Sequence, residues 1–495
     1  MEKLKAQRTV PFDIVVLCVP LLFYWLTLAP DIFAGDSVEL TTGAYSLGII
    51  HPPGYPTYLL LGHLFIHLPV GPSPGYRMNL MSAVWATLTA WVAYRIILKF
   101  VVLEWHAMLG ALLGALSFYI WGEANVAEVY SLHWLFVLLS WLFLLNWAIR
   151  GREGWLYLFA FTAGLSLTHH TSVMLVFPGY AVLLFCNGHK RPQSVRQILV
   201  AAALFLIGLA PYLALPLRYL NEPELDYARK YLGANLTNPD ELIWFISGGP
   251  FQSLVWASSV GKWSSETWLF LKYVLYNYLG VGCLFGLAGI MGLFRKDRSF
   301  LVATLVGFAA TALFYINYDV FDKYTMYGVC LWLIAIWIGV GLEQVSEWGV
   351  HPPGAITLAL LLLILQIAIF YPQSDMSQSH RVRQEGTEMV ATLPQNAVYL
   401  GTWSKVMVLE YLQIVERQRP DVLALNLPFI SPDQGKFYSQ ALRGSSRVLC
   451  FSAYLAQEAK KAGARVTSVL GEHCYQLEWT FDVTPPDEMR PAVNR

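Results

Sequence analysis

Charge is scarce in this chain. Only 13% of its 495 residues are Asp, Glu, Lys or Arg, and 33 basic residues balance 33 acidic ones. A net charge of zero offers no basic surface for nucleic acid. Phosphate-cradling loops are missing too: there is no Walker sequence, and GVGCLFG (280–286) follows no strand-like run. No internal repeat is visible, and the apolar runs hold very few ionisable residues. That argues against a transport path through the middle of a membrane. Cysteine is sparse. Four of the six (Cys18, Cys186, Cys283 and Cys330) lie in apolar segments as small core residues, while Cys450 and Cys474 lie in a polar C-terminal region and can pair if it is extracytoplasmic.

What is abundant is oil. Apolar residues make up 56% of the chain, with 18 Trp, 27 Tyr and 27 Phe, and mean hydropathy is +0.48. Continuous apolar runs of roughly 18 residues or more recur, long enough to cross a bilayer as helix. An α-helical polytopic membrane protein with about eleven spans is expected, near 12–29, 78–99, 102–121, 131–149, 154–168, 171–186, 197–217, 267–293, 299–316, 325–342 and 354–371. The basic opening MEKLKAQR precedes a run too long for a cleaved signal, so an uncleaved first span is expected. Gly110/Gly114 and Gly282/Gly286 suit close helix packing in lipid.

Lys3, Lys5, Arg8, Arg95, Lys99, Arg150, Arg152, HKRPQSVR (189–196) and RKDR (295–298) all fall on one face of that arrangement. The positive-inside rule makes this face and the N-terminus cytoplasmic. The opposite face receives the first outer loop (30–77), EANVAEVYSLH, THH, the loop after Arg218, NYDVFDKY and the tail. Residues 1–371 are thus expected to form a transmembrane domain. Residues 372–495, with strand-like AVYLGT and VLALNL around a helical SKVMVLEYLQIVERQ, are expected to form a small soluble extracytoplasmic α/β domain.

The densest polar stretch is GDSVELTTGAYSLGIIHPPGYP (35–56). Asp36 and Glu39 share a face if helical, and can act as general base toward a hydroxyl or simply begin a helix with acids in its first turn. The HPPGYP corner carries His51 and Tyr55. The second HPPG, His351–Gly354, lacks neighbouring acids and reads as a helix-starting turn. His169 and His170 can contact a phosphate, join the acids at a metal or form a polar turn; no metal-ligand spacing is recognisable, and no metal is expected. Arg218 can grip a lipid-linked phosphate or anchor at the interface, with Arg77 and Lys323 as weaker candidates of the same kind. Glu128 and Tyr130 can bond substrate or cap a helix. Asn235-Leu-Thr is a glycosylation sequon by pattern.

The order GDSVEL, LGIIHPPGYPTYLLLGHLF, YRMNLMSA, AEVYSLHWLF, GLSLTHHTS, LPLR and NYDVFDKYTMYGV resembles the domain of unknown function 2723 family. That family is placed with the protein O-mannosyltransferase-like enzymes of the GT-C glycosyltransferase superfamily. The resemblance touches most of the chain, is strongest over residues 30 to 180, and extends to LEYLQIVERQRPDVLALNL. It implies a membrane glycosyltransferase that moves a sugar, mannose by the family's name, from a polyprenyl-phosphate donor to an extracytoplasmic hydroxyl on protein, glycan or lipid. No cofactor is required, and the location is a plasma, inner or endoplasmic membrane. It carries the catalytic acid of the first outer loop onto Asp36, with Glu39 as neighbour. His51, Tyr55, Arg77, Glu128, Tyr130, His169, His170, Arg218 and Lys323 are the expected substrate contacts. One departure stands out: GTWSK (401–405) occupies the place where acids are expected, which puts a role for the tail in acceptor binding in question. Two other classes compete, a transporter or flippase of lipid-linked sugars and a non-catalytic assembly factor.

Overall fold

The computed structural model describes residues 10–185, 194–257, 259–320, 323–426, 447–461, 464–470 and 473–479. The basic opening, Cys186 and residues 189–193 of the basic HKRPQSVR run lie outside the described residues.

Helix α1 (Val10–Thr27) leads to two short helices, α2 (Ser37–Ser46) and α3 (Pro56–Ile66), before the long α4 (Pro74–Ile97). Then come α5 (Glu104–Ala115), α6 (Phe118–Ala124), α7 (Tyr130–Arg150) and α8 (Glu153–Leu167). The two apolar pieces expected in the first outer loop are therefore helices, broken by the HPPGYP corner.

Among the described residues, six helices are long and apolar enough to cross a bilayer: α4, α7, Val195–Leu220, Arg298–Ile316, Thr325–Glu347 and Pro352–Ser374. Two bent pairs raise this to eight if each is one span: α5 with α6, bent by 68°, and Gly261–Asn277 with Val281–Lys296, bent by 98°. Among the described residues, fewer helices than the eleven expected spans meet this length and composition. The runs at 12–29 and 171–186 form the apolar helices Phe12–Thr27 and Thr171–Phe185, too short to qualify, and α8 has only 15 residues. The sharper bend has a local cause. Leu279 and Gly280 take φ of +50° and +67°, a left-handed conformation that ends a helix and that glycine adopts without a Cβ clash.

Glycines set the closest helix approaches. A Cβ on Gly110 would stand 2.6 Å from the Cα of Gly339, so the expected Gly110/Gly114 pair does meet a neighbouring helix. The second pair is less critical. Gly286 has ordinary contacts at 3.6 Å, whereas Gly289 and Gly341 would each drive a Cβ to 1.8 Å from a backbone oxygen across the interface. In a bilayer, such small residues permit the van der Waals packing that holds helices together.

The C-terminal residues build a mixed five-stranded sheet in the order β2-β1-β3-β5-β4. Its strands are β1 (Val398–Gly401), β2 (Leu423–Asn426), β3 (Leu449–Phe451), β4 (Ala464–Leu470) and β5 (Cys474–Trp479). β1 pairs in parallel with β2 and β3, and β5 runs antiparallel to β3 and β4. A Cys450–Cys474 disulfide joins β3 to β5. The helix Trp403–Ile414 covers this sheet and also packs on α2: Ile32 and Val38 of the first loop are buried in one apolar cluster with Val406, Met407 and Leu409.

Polar side chains fix the first loop from below. The fully buried Asn79 donates to the carbonyls of Ala29 and Asp31, each at 2.9 Å, and accepts from the Ala127 amide at 2.8 Å. At the other end of the loop, Ile49 pairs with 225–227, donating to Leu225 and accepting from Tyr227, both at 2.8 Å. The loop after Arg218, the second outer loop of the site in the expected topology, is thereby laid against the first.

Candidate active site

Asp36 stands at the N-terminus of α2, one residue after Gly35, whose φ of +76° turns the chain into the helix. A helix-capping acid would accept a bond from an amide of the first turn. Asp36 makes no such bond. Its carboxylate is 45% exposed and lies 3.7 Å from Nε2 of His51. Glu39, one turn on, shares that face but is fully buried. One of its oxygens accepts the His51 amide at 2.8 Å, and the other is hydrogen-bonded by His51 Nδ1.

The corner HPPGYP presents His51 to both acids. Gly54 donates back to the His51 carbonyl at 2.9 Å, and Gly54 and Tyr55 take φ of +84° and +43° before Pro56 starts α3. Burial works against a charged imidazole, but the Glu39 and Asp36 carboxylates outweigh it and push His51 up from 6.5 to about 9. Burial raises the Glu39 carboxyl, opposed by His51. Near neutral pH His51 is thus an imidazolium, bonded to the buried Glu39 and facing the half-exposed Asp36.

Around this trio the structure gathers some expected residues and leaves others aside. The Tyr55 ring lies 5.3 Å from that of His51 and 5.6 Å from that of His170, and the Tyr130 ring 6.2 Å from His170. Burial raises the Tyr55 and Tyr58 phenols, and the nearby Glu128 carboxylate adds to both, as Asp36 does for Tyr55. His169 is fully buried, with Nε2 donating to the Val129 carbonyl at 2.8 Å. His170 Nδ1 accepts from the Ser172 amide at 3.2 Å. Burial and a neighbouring histidine's charge drive His169 down to about 3 and His170 to about 4. Both imidazoles are therefore neutral near pH 7, and toward a phosphate they offer hydrogen bonds rather than charge.

The three cations expected to grip phosphate are engaged elsewhere. Arg218 donates to the carbonyls of Leu47 and Ser46 at 2.6 and 3.0 Å. It braces the C-terminal end of α2, about 15 Å of helix from Asp36. The reason is physical: the last carbonyls of a helix lack intrahelical donors, and a guanidinium supplies them. Arg77 holds the carbonyls of Ile66 and Val70 at 2.8 and 2.7 Å. Lys323 pairs with Glu266 at 2.8 Å. Among the described residues, the cation in contact with Asp36 is His51.

Sequence reasoning missed four neighbours. His133 lies 5.0 Å from His170, ring to ring. Tyr227, Phe251 and Trp403 set their rings 6.4, 6.5 and 6.4 Å from His51. They come from three remote segments, and Trp403 belongs to the GTWSK stretch itself. His133 was within sight, one residue beyond SL in AEVYSLH. No local signal marks the other three.

The trio also assembles a possible ligand set that spacing did not reveal: Asp36, Glu39 and His51 each bring one ligand atom within 4.8 Å of the others. The fit to a cation is poor, because the same atoms are already paired. One Glu39 oxygen already accepts the His51 amide and the other bonds His51 Nδ1, so an ion there would have to displace these bonds.

The fold resembles that of solved GT-C membrane glycosyltransferases. ArnT from Cupriavidus metallidurans bound to undecaprenyl phosphate superposes with a TM-score of 0.57 at 13% identity, over 95% of this chain and 98% of that one. AglB from Archaeoglobus fulgidus, an archaeal oligosaccharyltransferase in complex with an inhibitory peptide and a dolichol-phosphate, does so at 0.52 and 11%, over 94% of this chain and 74% of that one. Within that class, residues 36–194 match the family described as the protein O-mannosyl-transferase TMEM260 N-terminal domain. The chain is similar to protein O-mannosyl-transferase TMEM260 of Mus musculus, 30% identical over 430 residues. It is also similar to the protein of that name from Dictyostelium discoideum, 25% identical over 477. It spans 60% and 58% of their lengths, while 81% and 84% of this chain is covered.

Proposed function

We propose that the protein is a membrane glycosyltransferase that moves a sugar from a polyprenyl-phosphate carrier to a hydroxyl outside the cytoplasm. The observation that carries this is the half-exposed Asp36 carboxylate, free of helix capping and set 3.7 Å from an imidazolium that a buried glutamate holds in place. Asp36 removes the proton of the acceptor hydroxyl as its oxygen attacks the anomeric carbon. The bond from that carbon to the phosphate oxygen breaks, its electron pair leaves with the polyprenyl phosphate, and the proton stays on Asp36. His51, 3.7 Å away, orients the Asp36 side chain for the next turnover. Phosphate leaves readily, so these steps need no metal.

The carrier is supported by the undecaprenyl phosphate and dolichol-phosphate bound to the two structural neighbours. The names of the sequence relatives support mannose as the sugar and a protein hydroxyl as acceptor. The outward placement of the site and of residues 372–495 is supported by the single-sided basic residues. The Cys450–Cys474 disulfide supports it too, as such bonds persist in oxidising compartments.

The test is a purified, bilayer-reconstituted chain given radiolabelled polyprenyl-phosphate mannose and a Ser/Thr-rich peptide, with a chelator present. Label is expected in the peptide at an undiminished rate. Loss of transfer that added divalent metal restores would place a cation at the trio. Label crossing the bilayer on its carrier, with none in the peptide, would make the protein a flippase.

A further inference from the structure

The C-terminal region contributes a side chain to the site itself. Trp403, the first residue of the helix Trp403–Ile414, sets its ring 6.4 Å from His51, 5.3 Å from Tyr227 and 5.9 Å from Tyr231. All three contacts are steep, at 87°, 73° and 75°. No parallel ring stacks on the indole among the described residues, and the side chain is only partly buried. With Tyr55 and Phe251 it makes an aromatic enclosure whose rings converge on His51 from three separate segments.

The placement of Trp403 is enforced. Two turns further along the same helix, the buried Glu410 pairs with Lys230 and accepts from the Tyr231 hydroxyl at 2.9 Å. Lys230 and Tyr231 lie on the second outer loop, beside Tyr227. A buried ion pair is weak evidence for stability, but it fixes register well. Here it fixes the helix so that the indole stands over the trio.

Aromatic walls beside carboxylates suit one ligand chemistry above others. A pyranose has an apolar face of C–H bonds, which packs on the electron-rich face of an indole or phenol. Its rim carries hydroxyls, which carboxylates such as Asp36 and Glu128 accept from. We infer that Trp403 stacks on the sugar ring of the lipid-linked donor and that the C-terminal region thereby helps select the sugar. This rests on the glycosyltransferase function proposed above. In this role Trp403 is a specificity-determining residue; Glu410 and Lys230 position it.

The test uses full-length protein carrying Asp36→Asn, so that bound donor is not consumed, in nanodiscs with two radiolabelled probes: polyprenyl-phosphate mannose and sugar-free polyprenyl phosphate. Adding Trp403→Ala is expected to weaken binding of the sugar-bearing lipid by about 2- to 12-fold, as befits one aromatic contact. Binding of the sugar-free lipid should not change, and Trp403→Phe should restore most of the loss. Equal weakening of both probes would show Trp403 to be packing only and would overturn the inference. So would no weakening of either, or, with Asp36 restored, a raised KM for the acceptor peptide with donor binding intact. Failure of the Asp36→Asn parent to bind either lipid would overturn the proposed function, and the inference with it.

Discussion

Transfer falls by about 10²–10⁴-fold when Asp36 is replaced by Asn, while the protein keeps its fold and its affinity for the donor. The rate loss is the typical contribution of a positioned general base. Unchanged folding is expected because Asp36 is half-exposed and caps no helix amide, and substitutions of such side chains usually cost no more than about 0.5 kcal/mol. The check is single-turnover transfer from polyprenyl-phosphate mannose beside a thermal melt of both proteins. A variant that transfers as fast as the parent would remove Asp36 from the chemistry.

Glu39→Gln has the second large effect, and it shows in pH dependence as well as rate. In the unchanged protein His51 titrates at about 9, above its ordinary 6.5, because the carboxylates outweigh burial. A raised pKa in the folded state means that the stabilisation is fully present below about pH 6.5 and is lost as pH rises through about 9. Activity that needs the imidazolium should fall over the same upper limb. Removing the Glu39 charge leaves burial to dominate, so His51 gives up its proton more readily and the alkaline limb moves toward neutral pH. Breaking a buried pair from one side also costs on the order of 3–5 kcal/mol. A pH–rate profile of both proteins, with denaturation midpoints at pH 6 and 9, reads both effects. An unshifted limb would mean that the His51–Glu39 contact has no part in the titration.

How much of this was legible in the sequence follows from chain distance. Asp36, Glu39 and His51 lie within one short stretch. The i, i+3 spacing of the acids foretold their shared face, and the HPPGYP corner foretold a rigid break between two helices. What spacing could not show is that the chain folds His51 back onto both acids, a reversal that includes the left-handed backbone at Leu47, where α2 ends. Arg218 was read as a phosphate ligand because an interfacial arginine has no partner in a linear view; in three dimensions, the frayed carbonyls at the end of α2 claim it. The charge state of His169 and His170 is not legible in the sequence, because it follows from their burial. Trp403 was the deepest omission. Its neighbours are more than 150 residues away, and the fold of the tail alone brings them together. The helix geometry has a similar origin: hydropathy registers apolar length but not the bend at Leu279–Gly280 or the shortness of α8.

The anomeric configuration of the product made from polyprenyl-phosphate mannose is the most direct measurement of whether Asp36 drives a one-step displacement. NMR of the glycosylated peptide from the unchanged protein should show the configuration inverted relative to the donor. Retention would require a glycosyl-enzyme intermediate and contradict Asp36 acting as a base toward the acceptor hydroxyl.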